Sequence, residues 1–393
     1  MPSPVADRPG LLIRDPFQYG SATIIIPPAL VGCLQLFDGQ NGEAELRQWL
    51  VRLTGDLQVG DLLQHLVGSL SQAGFLHDDA FESLREARLR AFRESPERVP
   101  SHAGTGYPDT EPELRAAMQR WMVGQAIGLP NSDGLLGIAA PHVSPEGGWE
   151  SYRDAYRLLS PALRERLFIV LGTSHYGEPA KFGLTRKPFR TPFGLTRTEP
   201  AWIDYLEQRA PEAVNMEDYC HAVEHSIEFQ IIFLQSVFGP DIRVLPILCG
   251  SFGRSIIQGG LPENEEPVRR FLDALAERAA LEPEAVFWVL GVDMAHMGAR
   301  YGDPFEARAN EDEMSAVATR DRGRIDRLTA GDAEGFWSAI QENRDDLKWC
   351  GSAPLYTFLR ATPQARGALQ RYQQWNIDPR SVVSFAALAF RGQ

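Results

Sequence analysis

The chain has 393 residues, 44% of them apolar and 23% charged, and carries a net charge of −13. That length accommodates two or three domains of ordinary globular composition, and the acidic balance argues against a nucleic-acid partner, since a phosphate-reading surface needs a basic excess. No apolar run approaches the roughly 18 residues of a membrane helix. The four cysteines are widely spaced, which fits a reducing compartment. The opening MPSPVADRPG lacks a signal-peptide pattern, so the expected location is the cytoplasm, with no membrane and no nucleic acid among the partners.

In chain order, residues 11–26 read as two short strands around a turn, the second marked by the β-branched run Thr23–Ile26. Pro27-Pro28 opens a helix, and Asp38-Gly39 and Asn41-Gly42 supply turn chemistry. Two amphipathic helices follow at Glu43–Thr54 and Asp61–Ala73, the latter with Leu62, Leu63, Leu66, Val67 and Leu70 on one stripe. Gly74-Phe75-Leu76 reads as a short strand, and a charged helix runs to about Glu94. This is a small α+β domain, residues 1–95, of winged-helix-like character. Residues 96–112 (SPERVPSHAGTGYPDTEP with its preceding serine) are rich in Pro, Gly and Ser/Thr and read as a linker.

From 113 to 393 helical and strand patterns alternate. Helices are expected at Glu113–Ala126, Ser151–Leu159, Pro200–Arg209, Glu224–Phe238, Pro267–Ala280, Ala307–Gly323 and Ala333–Glu342. Strands are expected at Leu135–Ala140, Leu167–Gly172, Lys181–Arg186 (as an edge), Arg243–Leu248, Val286–Val292 and Ser381–Phe390. The repeated βα pattern predicts an α/β domain with a mainly parallel sheet sandwiched by helices.

Such a sheet collects ligands at the carboxyl ends of its strands, and three histidines sit there. His142, His175 and His296 each follow an apolar strand. Any one of them alone reads as a polar loop residue; three at equivalent positions point to one shared metal site, imidazole being the commonest metal ligand. Asp293, three residues before His296, would complete a two-histidine, one-carboxylate face for non-haem iron or orient an imidazole. His221-Ala222-Val223-Glu224-His225 matches the H-x-x-E-H pattern of inverted zinc peptidases. Alternatively, His225 and Glu224 enter the strand-end site and handle protons. Cys249 and Cys350 read mainly as small buried apolar residues, although Cys350 precedes a helix, where a thiol becomes a candidate ligand or nucleophile. No P-loop, GxGxxG or GxSxG motif is present, which weakens nucleotide-dependent and serine-hydrolase readings.

The segments APH (140–142), LGTSH (171–175), RTPFG (190–194), EHSIE (224–228), DMAHMG (293–298), CG (350–351) and SVVSFAAL together resemble the Memo-like family, whose bacterial members are called AmmeMemoRadiSam system protein B. That family is similar to class III extradiol dioxygenases, which share an α/β fold and open aromatic rings with non-haem iron. The resemblance implies that His142 and His175 are metal ligands and that His225 stands at the acid/base position. The third-ligand position, cysteine in some members and glutamate in the dioxygenases, falls on Ala295, which leaves Asp293 or His296 to substitute. The implied cofactor is a divalent metal, Fe(II) first, with Cu or Zn as alternatives. The implied function is an oxidoreductase or dioxygenase acting on an unknown small molecule. The alternatives are a non-catalytic metal-binding scaffold that partners a radical-SAM protein or a peptide, and a zinc peptidase built on HAVEH. Residues 11–95 resemble PqqD-like peptide-recognition domains, which take a peptide as an added strand.

Overall fold

The structure, a computed structural model, describes residues 8–123 and 132–392. The chain divides into two compact units at Ser95/Pro96. In the first, Leu11–Arg14 pairs antiparallel with Thr23–Ile26. A 3-10 helix, Pro28–Leu36, and α-helices Glu43–Thr54, Gly60–Gln72 and Asp79–Glu94 follow. Cys33, Leu46, Leu50, Leu63, Leu66 and Leu70 form its core. The expected strand at 74–76 is absent. Gly74 has φ +76°, and the Phe75 and Gly74 amides bond back to the Leu70 and Ser71 carbonyls. That is a Schellman closure, so Gly74 ends a helix here instead of starting a strand.

The second unit is built on one mixed sheet. Its parallel centre runs Leu135–Ala140, Val286–Gly291, Leu167–Thr173, Arg243–Cys249. Phe168, Ile169, Val170 and Leu171 are wholly buried, as a strand covered on both faces must be. Helices Pro145–Tyr156 and Glu228–Phe238 lie within one apolar cluster, and Glu266–Leu281 and Ser352–Ala361 within the other. Ser381–Gly392 joins antiparallel to Leu135–Ala140 and carries Ala365–Asp378 as its hairpin partner. The sequence pattern did not mark this last strand: its residues ARGALQRYQQWNID are mostly polar and only partly buried. The helix expected over Glu113–Ala126 is seen as Glu111–Trp121, its expected end lying outside the described residues. Among the described residues no helix is long and apolar enough to cross a membrane.

Two further expectations are corrected. The helix expected over Glu224–Phe238 is interrupted. Cys220–Val223 forms one turn, Glu224 is extended (φ −79°, ψ 140°), and the helix starts afresh at Glu228. Residues 96–112 are not a free linker but part of the second unit. Arg98 is buried, donating from Nε to the His221 carbonyl (2.7 Å) and from Nη2 to the Glu224 carbonyl (2.9 Å), and it pairs with the buried Glu228 carboxylate. A composition rich in turn formers encodes a tightly bent strap as readily as a tether, and the buried Arg98–Glu228 pair decides between them.

Arg98→Met tests this. Breaking one partner of a buried ion pair costs about 3–5 kcal/mol, so urea unfolding should show the second unit destabilised by that order. A loss below about 1 kcal/mol would show that the strap does not hold the unit together.

Candidate metal centre at the carboxyl edge of the sheet

The register of the sheet sets the site. Gly291 is paired with both Ala140 and Gly172, so three strands end in one row. Chain leaving that row delivers His142, Asp293 and His175 within two or three residues, on strands about 4.8 Å apart. A fourth piece is laid across them. A Cβ at Gly291 would overlap the Ser226 carbonyl oxygen, and one at Gly172 would overlap the Ser226 side chain. Both glycines are therefore needed for the Glu224–Ser226 turn to approach the strand ends. Ser226 Oγ then donates to the Thr173 carbonyl (2.9 Å), and Gln230 Nε2 to that of Pro141 (2.8 Å).

The result is a cluster of His142, His175 and His225. Their ring centroids form a triangle 5.1 Å on each side, and one nitrogen from each lies within 4.8 Å of the others. In each ring the other nitrogen is engaged. His142 Nδ1 meets the Gly291 carbonyl at 2.9 Å, so it carries the proton. The Nδ1 atoms of His175 and His225 both lie 3.0 Å from Glu224 Oε1. These contacts orient the three rings, and a carboxylate or carbonyl behind the ring is how imidazoles are positioned for a metal.

Glu224 is the organiser. Its carboxylate also accepts the backbone N–H groups of His175 (2.9 Å) and His225 (2.9 Å). Burial alone would raise its pKa, but His175 and His225 hold it well below the ordinary 4.5. Its partner His175 is lifted well above 6.5: burial opposes this, and the Glu224 charge outweighs burial. His142 is pushed well below 6.5 by burial and by the two neighbouring imidazoles.

The other sequence candidates fall around this triad. Asp293 is buried; Oδ1 accepts the His142 amide (2.9 Å) and Oδ2 lies 3.5 Å from His142 Nε2. His296 stands outside the three. Its Nδ1 meets the Met294 and Lys348 carbonyls (2.9 and 3.2 Å), and its ring packs on Tyr301. Burial lowers its pKa to about 4. His221 points away, with Nε2 at 3.0 Å from the Gly183 carbonyl. The chain leaves the helix at Glu224, so His221 and His225 share no helical face and HAVEH is not a chelating pair. Ala295 is fully buried and bonded through its backbone to Ser384.

A thiol also stands beside the cluster, that of Cys350. Its Sγ lies 3.3 Å from His142 Nε2, and its carbonyl accepts from Thr173 Oγ1. Burial raises its pKa, and His175 pulls it down. The sequence held the signal in the CG pair before a helix, but spacing alone could not place residue 350 beside residue 142. His102, in the presumed linker, was missed altogether; its ring is 5.4 Å from that of His225.

Fold and site thus define an α/β protein with an imidazole cluster at the carboxyl edge of a parallel sheet. The profile of the family described as Memo-like protein matches residues 98–389, and the chain belongs to that family. Relatives include a MEMO1 family protein of Aquifex aeolicus, 25% identical over 98% of this chain and 97% of the relative. Another is the MEMO1 family protein TTHA0924 of Thermus thermophilus, 28% identical over 76% of this chain and 84% of the relative. Among solved structures, the uncharacterized protein JW3007 from Escherichia coli K12 is similar with a TM-score of 0.42 and 12% identity, covering 65% of this chain and 99% of that one.

The charges predict a pH dependence for chelator-treated protein. Glu224 is depressed in the fold, so its contribution is fully present above about 4.5 and is lost as pH falls below. His175 is raised, so its contribution is present below about 6.5 and is lost as pH climbs through its folded value. Glu224→Gln should lower stability at pH 6 and flatten the acid limb between pH 5 and 3, read as urea midpoints. Wild-type and variant curves that stay parallel over that range would contradict the assignment.

Proposed function

We propose that the second unit is a mononuclear metal centre in which His142, His175 and His225 supply three nitrogens and Cys350 stands ready as a sulfur donor. The observation that carries this reading is the cluster itself, one nitrogen from each of three imidazoles within 4.8 Å of the others, with two of the rings held from behind by the buried Glu224 carboxylate. Imidazole suits iron, copper and zinc, while a thiol favours the softer of these. Fe(II) is the leading ion by the family resemblance, with copper and zinc next. A bound redox metal would supply the oxidative chemistry of a dioxygenase-like oxidoreductase toward an unidentified small molecule. This chain's own residues orient and enclose: Glu224 holds two rings, Asp293 fixes the His142 backbone, and His175 and His225, about a quarter exposed, face the entrance. In this arrangement Glu224 is a holding group rather than a proton carrier, and His225 joins the donors. A cavity of about 280 Å³ next to His175 and Cys350 offers room beside the centre.

A second reading is a metal-binding scaffold that engages a peptide or a radical-SAM protein. It is favoured by the first unit, which carries a groove of about 520 Å³ lined by Leu36, Phe37, Leu46, Leu63, Val67 and Phe75. The peptidase reading is not carried forward, because His221 is turned away from the cluster.

Metal analysis of protein loaded with Fe(II), Cu(II) or Zn(II) tests the centre. His142→Ala, His175→Ala and His225→Ala should each lower affinity by about 10-fold or more, in the range that loss of even an orienting group produces, whereas His221→Ala should bind as wild type. Full metal in His142→Ala with loss in His221→Ala would overturn the assignment. A loaded protein that turns over no member of a catechol panel with O2 would favour the scaffold.

A further inference from the structure

The strap 98–107 does more than close the fold, because it places His102 beside His225. The hydrogen bonds around its neighbour Ser101 settle which His102 nitrogen is protonated. Ser101 Oγ donates its proton to Glu228 Oε2 (3.0 Å), a carboxylate held ionised by Arg98 despite its burial. The same oxygen accepts from Arg98 Nη2 at 2.9 Å. His102 Nδ1 lies 2.8 Å away. A hydroxyl has one proton to give and two lone pairs, so Ser101 can only accept from His102. The hydrogen is therefore on Nδ1, and in the neutral ring Nε2 is a bare acceptor.

The imidazole is also held rigidly. The His102 amide donates to Glu228 Oε1 (3.0 Å), and Tyr107 OH donates to the same oxygen (2.6 Å). The ring stands edge-on to Phe229 at 5.7 Å and tilted to His225 at 5.4 Å. Its side chain is 24% exposed, close to the 28% of His225. Its Nε2 makes no hydrogen bond to any described residue. A fixed, accessible acceptor with its own buried carboxylate behind it, just outside a donor triad, is arranged to receive a hydrogen bond from whatever the centre binds.

We propose that His102 is a positioning residue for a protic chelating ligand: one that presents an O–H or N–H next to the oxygen it would give to the metal, as a catechol or a hydroxamic acid does. This rests on the metal-centre reading above and adds the ligand class that it takes. His102 discriminates by hydrogen-bond polarity: a donor-bearing ligand gains from Nε2, while an anion without a proton does not.

The test compares two exogenous ligands on full-length protein loaded with Co(II), whose visible bands report ligation. Acetohydroxamic acid carries the proton and azide does not. His102→Ala should take up Co(II) as wild type does and bind acetohydroxamate about tenfold more weakly, the size of one lost hydrogen bond to a polar ligand, with azide affinity unchanged. His102→Gln, whose amide oxygen can accept, should recover most of the loss. Ser101→Ala, which keeps the imidazole but frees its tautomer, should fall between wild type and His102→Ala. Equal losses for both ligands, no loss for either, or a His102→Gln protein as weak as His102→Ala would overturn the acceptor role while the metal centre stands. A wild-type protein that takes up no Co(II), Fe(II), Cu(II) or Zn(II) sinks the centre itself, and this role with it.

Discussion

A carboxylate taken out of water must find charge and hydrogen bonds, or it will not stay ionised. Glu224 is such a group, and nearly everything at the carboxyl edge of the sheet follows from how it is satisfied. Its oxygens receive N–H groups from His175, 49 residues before it in the chain, and from its neighbour His225. Glu224 is extended while it meets those demands, and the helix expected from residue 224 begins instead at Glu228. The break turns His225 toward the sheet. Without it, His221 and His225 would share a helical face and the cluster would not exist.

A second buried carboxylate four residues on is met differently. Glu228 sits at the start of the resumed helix and is paired with Arg98, whose other nitrogens hold the carbonyls of His221 and Glu224. One guanidinium therefore fixes both ends of the irregular turn. Arginine suits this place because its planar fork donates in several directions at once without losing its charge. Two carboxylates on one short segment are thus neutralised from opposite sides, Glu224 by imidazoles facing the site and Glu228 by the strap behind it. The turn is thereby held from both sides.

The parts of this architecture that depend on periodicity could be read from the sequence. The buried parallel strands announce themselves as unbroken apolar runs, and with them come the positions of His142, His175 and Asp293, since strand ends in such sheets align. What could not be read is what depends on meetings across the chain. The polar strand Ala365–Asp378 has no pattern apart from its partner, Ser381–Gly392. Cys350 is a cysteine before a helix until the fold sets it against His142. Residues 96–112 have a linker's composition because tight turns use the same residues, and only Arg98, a charge destined for burial, separates the two cases. The Memo-like resemblance located the motifs, but it could not show that Ala295 is packed in the core or that the Cys350 sulfur meets His142.

The arrangement around His142 distinguishes the two groups beside it. Two donors of opposite character approach the same nitrogen: Asp293 Oδ2 at 3.5 Å and Cys350 Sγ at 3.3 Å. They are not equally free. The other oxygen of Asp293 is committed to the His142 and Val143 amides, so moving the carboxylate toward an ion would loosen the loop that presents His142. The Cys350 sulfur is held more loosely, by the His142 nitrogen, the His175 ring and the Asp293 carbonyl at 3.7 Å. The two groups beside His142 thus differ in how firmly they are held, the carboxylate through two amides of the loop that carries His142 and the thiol through looser contacts.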